Sequence, residues 1–230
     1  MDFIVAACRT LASRSRLRLL RAVYEEPGST VQALAKAVEL PVHAASKHLK
    51  LLREHHLIRA MPSGRYVRYA LPVENDTESR FLRNLQALMK DLLDGKKCNF
   101  TLAQVWNDAP QSETGWEAVF AGLEKHVTTY THLRRLLILR ELARKHTCRA
   151  EEITGTIRMS AGALGRHLDK LQRRGVIREP ATKAGAWTIV RDARPPCRQR
   201  LLEIVLRALQ AGSAFGQGAD GTRHLRHRAK

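Results

Sequence analysis

The sequence predicts a mostly α-helical chain with small β-hairpins, built as two winged helix-turn-helix domains in tandem. Three observations lead there. Apolar residues recur at helical spacing through most of the chain. The chain aligns with itself, without a gap, at a displacement of 119 residues from Leu17 to Arg59. Its 40 Lys and Arg stand against 22 Asp and Glu in 230 residues, a formal charge of +18 that attracts polyanions.

Each element of the first copy follows from local chemistry. Asp2 to Leu11 precedes the copy as a first helix. Leu17, Leu20 and Val23 have three-to-four spacing, which predicts an amphipathic helix over about 15–25. Pro27-Gly28 stops it. Thr30 is an N-cap for a short helix carrying Ala33, Leu34, Ala37 and Val38. A turn at Leu40-Pro41 opens a third helix, whose inward stripe is Ala45, Leu49 and Leu52. Leu57-Ile58 begins a strand, Pro62-Ser63-Gly64 turns it, and Tyr66 to Leu71 returns as its partner. A further helix over about 78–93 carries Phe81, Leu85, Leu88 and Leu92 on one side, and Gly95 ends it.

The second copy reads LLILRELARK…MSAGALGRHLDKLQRRGVIR against LRLLRAVYEE…LPVHAASKHLKLLREHHLIR in the first. Leu17, Leu20, Arg21, Ala44, His48, Leu49, Leu52, Ile58 and Arg59 recur, and the apolar period recurs with them, so the same faces are buried twice. Its elements are expected near 131–145, 149–157, 160–174, 176–179 and 186–190, with a preceding helix near 115–126 and a last one near 196–211. The expected domains are 1–95 and 114–211. Between them, 96–113 is a connection docked through Phe100, Leu102, Val105 and Trp106, and 212–230 is a basic disordered tail. The charge sits mainly in folded sequence: +5 over 1–95, none over 96–113, +10 over 114–211 and +3 in the tail.

Two helices joined by a tight turn, the second basic on its outer face, followed by a β-hairpin, describe a winged helix-turn-helix. One α-helix fits the major groove, and the helix before it braces across the backbone. The residues expected to face DNA in the first copy are Val42, His43, Ser46, Lys47 and Lys50 on the recognition helix. Arg65 and Arg68 on the hairpin suit phosphates or the minor groove. In the second copy the corresponding candidates are Ser160, Arg166, Lys170 and Lys183. Gly162 and Gly165 enter its recognition helix, where each costs up to about 1 kcal/mol in propensity and presents no side chain. Three roles stay open for that copy: holding the backbone through Arg166, Lys170, Arg173 and Arg174, serving as a dimerisation or scaffold domain, or bringing glycine close to a phosphate.

Three motifs carry a family resemblance. Leu11-Ala12-Ser13-Arg14-Ser15-Arg16-Leu17-Arg18-Leu19-Leu20, Ser46-Lys47-His48-Leu49-Lys50-Leu51-Leu52-Arg53, and Gly64-Arg65 with Tyr69 and Leu71 occur in order. They resemble the opening, recognition-helix and wing motifs of the arsenical-resistance repressor (ArsR) family of bacterial winged-helix regulators. The resemblance covers roughly residues 3–94. The second copy keeps only Arg166-His167-Leu168 and Leu171. The resemblance implies a sensor of metal or metalloid ions, yet the helix Val31 to Val38 has no Cys and the helix Ser79 to Leu93 has no His, the positions where the family holds its ligands. No metal site and no cofactor are therefore expected. Cys8 with Cys98 makes a weak thiol pair, and His55 and His56 read as the C-terminal cap of the recognition helix.

Other classes are excluded on the same grounds. No apolar run reaches membrane-spanning length, and arginines interrupt the richest stretch, Leu133 to Leu142. A start of Asp2 followed by a short apolar run is not that of a secretory signal. Four scattered cysteines are neither a disulfide framework nor a close-spaced metal motif, so a reduced cytoplasmic protein is expected. No phosphate loop or nucleophile motif is found, and the chain is expected not to be an enzyme. The function expected is sequence-specific regulation of transcription on double-stranded DNA, as a repressor. A tandem winged-helix replication initiator or DNA-architectural protein is the alternative. The assembly expected is either an intrachain pseudo-dimer of winged helices or a homodimer.

Overall fold

Apolar spacing becomes helix close to where it predicts one. The computed structural model describes residues 1–73, 77–94, 115–180, 185–191 and 196–214. The first half runs α1 (Asp2–Leu11), α2 (Arg14–Glu25), β1 (Ser29–Thr30), α3 (Val31–Ala37), α4 (Val42–Glu54), β2 (Arg59–Ser63), β3 (Tyr66–Ala70) and α5 (Arg80–Leu93). The second half runs α6 (Gly115–Val127), a 3-10 turn (Thr128–Tyr130), α7 (Leu133–Lys145), β4 (Thr147–Arg149), α8 (Ala150–Ile157), α9 (Ala161–Arg173), β5 (Ile177–Arg178), β6 (Ala186–Ile189) and α10 (Pro196–Ala214).

A displacement of 119 residues brings α2, α3 and α4 onto α7, α8 and α9, whereas α1 displaced falls over the end of α6 and the 3-10 turn. Helices α4 and α9 both begin and end at positions related by it. The two sheets have matching antiparallel orders, β1-β3-β2 and β4-β6-β5. The turns before α4 and α9 contain a left-handed residue at the corresponding place, Glu39 (φ 55°) and Arg158 (φ 52°). Each turn must reverse the chain within about four residues, and one left-handed residue does so. Side-chain caps open several helices: Thr30 Oγ1 accepts from the Ala33 amide (3.4 Å), and Ser79 Oγ accepts from the Leu82 amide (3.4 Å). His55 is the C-cap of α4, and His56 beyond it is left-handed (φ 56°), where the second half has Gly175 (φ 60°).

Some expectations needed correction. The sheets have three strands, not the two of a hairpin, because β1 and β4 add an antiparallel edge to β3 and β6. Pro62 and Ser63 belong to β2, and Ser63 pairs with Tyr66 across a loop of Gly64-Arg65. Gly64 (φ 59°) supplies the positive φ that a two-residue hairpin loop needs at its first position. Helix α10 continues to Ala214, three residues into the stretch read as tail. The segment 96–113, Gly95 and most of the tail lie outside the described residues.

The two halves pack through helices outside the helix-turn-helix units. Helix α5 lies against α10, and α1 against α6 and the 3-10 turn. Phe81, Leu85, Leu88 and Leu92 are buried, as expected, together with Leu201, Leu202, Val205 and Leu209 of α10. Phe3 meets Phe81 edge-on at 5.4 Å. Arg200 donates to Asp91 across the α5–α10 seam at 2.6 Å. One apolar core runs through both halves without a break. Leu20 (2% exposed) and Leu139 (0%) occupy corresponding places in it.

A shared core predicts a single cooperative transition. Leu20→Ala and Leu139→Ala should each destabilise the whole chain by about 2–5 kcal/mol. Urea unfolding followed by tryptophan fluorescence and by far-UV circular dichroism tests this. Two separated transitions, each sensitive to only one substitution, would refute the shared core.

Candidate nucleic-acid interface

Burial on one side of α4 determines what its other side can present. Ala45, Leu49 and Leu52 are fully buried against the rest of the first half. Helical geometry then turns Val42, His43, Ser46, Lys47 and Lys50 outward, and all five are exposed. Val42 is 46% exposed although apolar. Lys50 is loosely paired with Glu54 at 3.8 Å, while His43 and Lys47 carry no ion pair among the described residues.

The wing divides its two arginines. Arg65 sits at the exposed hairpin tip. Arg68, also exposed, lies across its own sheet, donating to Ser63 Oγ (3.2 Å) and to the Gly28 carbonyl (2.8 Å). That ties Arg68 to the strand order β1-β3-β2 and leaves Arg65 as the better placed of the two for a phosphate. Tyr66 (58% exposed) and Val67 (44%) flank the tip, and sequence reasoning missed them as surface groups. An aromatic residue next to the loop glycine was the available signal.

The second half presents a different surface. Arg166 is exposed and Lys170 half-buried, and both lie on α9. Ser160 is exposed too, but its hydroxyl oxygen caps α9 by accepting from the Ala163 amide (3.3 Å). Lys183 lies outside the described residues. A Cβ at Gly162 or Gly165 would meet nothing within 4 Å, so packing does not demand glycine there. Arg173 pairs with Asp169 one turn earlier. Several arginines of the first half are engaged internally. Arg14 reaches Glu117 (3.2 Å) and Glu124 (3.0 Å), Arg18 reaches Glu117 (2.8 Å), and Arg21 stacks on Trp116 at 4.4 Å. The hydrogen bond from Arg18 is the main cause that holds the Glu117 carboxyl below its ordinary range; burial opposes it, and the Arg18 charge and the Arg14 hydrogen bond and charge add to the lowering.

A recurring arginine–histidine arrangement went unnoticed in the sequence. Arg16 donates to the Arg9 carbonyl (2.8 Å), and Arg135, 119 residues on, donates to the Thr128 carbonyl (2.9 Å), which corresponds to Arg9. His48 stands near Arg16, and its counterpart His167 near Arg135. In the second half a further histidine joins, since the His132 and His167 ring centroids are 4.7 Å apart. The signal was one residue beyond the alignment, at Arg16.

Burial is the first cause that lowers the pKa of His48, His132 and His167. Arg16 adds to it at His48. Arg135, Arg9 and Arg134 add to it at His132. At His167 the neighbours are His132, Arg135, Arg166 and Arg134. Cys8 is fully buried, and burial pushes its thiol up to about 12, which suits neither a metal-binding thiolate nor a redox switch. Cys98 lies outside the described residues. Among the described residues no group of three His, Cys, Asp or Glu is close enough to hold a metal ion, and no helix is long and apolar enough to cross a membrane.

With the geometry in view, comparisons add the following. Residues 11–59 match a helix-turn-helix domain family, from the last residue of α1 to the first of β2. Such a domain suggests a DNA-binding regulator. No curated protein matches the chain. Among solved structures, the chain is similar to human N-acetylserotonin methyltransferase in complex with SAM, at 16% identity and a TM-score of 0.27, over 62% of this chain and 47% of that one. The chain thus spans about half of that protein's length. This finding corrects the expectation that the chain is not an enzyme: a structure it resembles is a methyltransferase, so the exclusion drawn from missing motifs is withdrawn. At that TM-score the likeness carries neither fold nor activity to this chain.

The histidines give a pH dependence of stability. Their pKa values in the folded chain lie below the ordinary 6.5, so the unfolded chain binds more protons between the two values. Stability is therefore full above about pH 6.5 and falls as pH drops through the folded values. Urea midpoints at about pH 7.5 and about pH 5.5 should decline in that order, and less steeply for His48→Gln. Equal midpoints would contradict the assignment.

Proposed function

We propose that this chain is a sequence-specific DNA-binding regulator of transcription that acts as a repressor by occupying its operator. The observation that carries the reading is the outer face of α4, with Val42, His43, Ser46, Lys47 and Lys50 exposed opposite a fully buried apolar stripe. In this reading α4 enters the major groove, and Arg65 at the wing tip meets the backbone or the minor groove. The resemblance of the first half to the ArsR family supports a repressor.

The units of function are two winged helices, 1–95 and 114–211, derived from one another by duplication and joined by 96–113. Matching sheet orders and the corresponding left-handed turns support the duplication. They work as an intrachain pseudo-dimer, a reading supported by α5 lying against α10 within one chain. The first unit specifies the site, and the second holds the backbone through Arg166 and Lys170. An architectural protein that coats DNA without regard to sequence is the second reading, favoured by the bare, glycine-containing face of α9.

Three measurements test these statements. Lys47→Ala and Arg65→Ala should each lower the slope of log affinity against log salt by about one, as expected for loss of one phosphate contact. Unchanged slopes in both would exclude this docking, and a footprint without a defined operator would favour the architectural reading. Light scattering should return the mass of one chain, 26.0 kDa. Twice that mass would replace the intrachain pseudo-dimer by a homodimer.

A further inference from the structure

The histidine pair of the second half stands in a field of one sign. His132 caps α7, its Nδ1 accepting from the Arg134 amide at 3.2 Å, which leaves Nε2 as the protonated nitrogen of the neutral ring. His167 lies half-buried on α9, next to the exposed Arg166. The charged groups around the two rings come from every element packed there. They are Arg9 of α1, Arg134 and Arg135 of α7, and Arg166 of α9. Among the described residues no carboxylate acts on either ring. Asp169, the acidic residue of α9, is paired with Arg173. The buried Nε of Arg135 has no hydrogen-bond partner among the described residues.

So many cations around two imidazoles repel one another unless an anion joins them. The location favours an anion from DNA. Arg134 donates to the carbonyl of Ile157 (3.1 Å), the last residue of α8, so the cluster borders the turn of the second helix-turn-helix. Phosphates are gripped along that border in this kind of unit. The first half lacks the arrangement. Its counterparts of His132 and Arg134 are Ser13 and Ser15, and His48 faces Arg16 without a second imidazole.

We propose that His132, His167, Arg134 and Arg166 form a site for one backbone phosphate of duplex DNA, and that filling it places a proton on His167. This rests on the DNA-binding reading above. His132 donates Nε2–H to the phosphate while keeping its cap, because its Nδ1 is already an acceptor. His167 carries no such tie, so it is the ring that takes the proton when the phosphate charge arrives. One proton taken up on binding makes affinity rise as pH falls, by at most tenfold per pH unit. The second half would then hold DNA more tightly in mild acid, although the free protein is less stable there.

The test uses the full chain, a labelled duplex and constant ionic strength. Binding is read by fluorescence anisotropy from about pH 8 to about pH 6. Wild-type affinity should rise roughly threefold to tenfold over that span, and His167→Gln should remove that part of the rise. His132→Asn, which keeps an oxygen to cap α7, should weaken binding severalfold while retaining the slope. Far-UV circular dichroism confirms that each variant is folded. In parallel, NMR follows the His167 ring, whose titration midpoint should move up on adding duplex and stay put in millimolar inorganic phosphate. An equal move with inorganic phosphate would overturn the assignment to backbone. A wild-type pH slope in His167→Gln, or an unmoved midpoint with duplex bound, would overturn the site itself. Failure of the wild type to bind any duplex at low salt would instead overturn the DNA-binding reading.

Discussion

Helices α5 and α10 bury their apolar sides at one seam, and the arrangement of both helix-turn-helix units follows from it. Each helix comes at the end of its own half, so a seam between them joins the halves at their last elements. Helices α1 and α6 close the same junction from the other end of each half. The apolar core is then one body, and neither half keeps a separate interior. A seam of this kind leaves α4 and α9 out of the junction, which frees their outer faces for a ligand.

Electrostatics divides along the same line. A chain of +18 must disperse its self-repulsion, and its carboxylates sit where they do most against it. Glu117 and Glu124 of α6 take Arg14 and Arg18 of α2, and Asp91 of α5 takes Arg200 of α10. These pairs are part-exposed, so each contributes little to stability. Their effect is on distribution: Arg14, Arg18 and Arg200 at the junction are matched, while Lys47, Arg65 and Arg166 on the outward elements carry no ion pair among the described residues. The net field is thereby concentrated on the faces that the core turns outward.

Much of this was legible because burial imposes a period. Leu49 and Leu52 of α4, and Leu164, Leu168 and Leu171 of α9, each mark one side of a helix, and marking one side identifies the other. What stayed illegible depends on partners distant in the chain. Strand β1 is two residues long and exists because Ser29 and Thr30 meet Tyr69 and Arg68, so no alternation within it could announce it. Arg68 looks like any basic wing residue until β1 brings the Gly28 carbonyl beneath it. The His132–His167 pair joins the N-cap of α7 to a position on α9 35 residues later, and a periodicity reading treats each as a lone polar residue.

The two halves share a scaffold, and their differences are therefore informative. At the outward positions where α4 carries His43 and Ser46, α9 carries Gly162 and Gly165, in open space that would admit a side chain. Glycine there weakens the helix by up to about 1 kcal/mol each, and no internal contact compensates. At the positions of Ser13 and Ser15, by contrast, the second half carries His132 and Arg134. Two side chains that could read a base are thus absent from the face of α9, where Arg166 remains exposed, while His132 and Arg134 stand at its border. Base contacts specify and phosphate contacts position. The asymmetry matches the division proposed above, in which the first half specifies the site and the second holds the backbone.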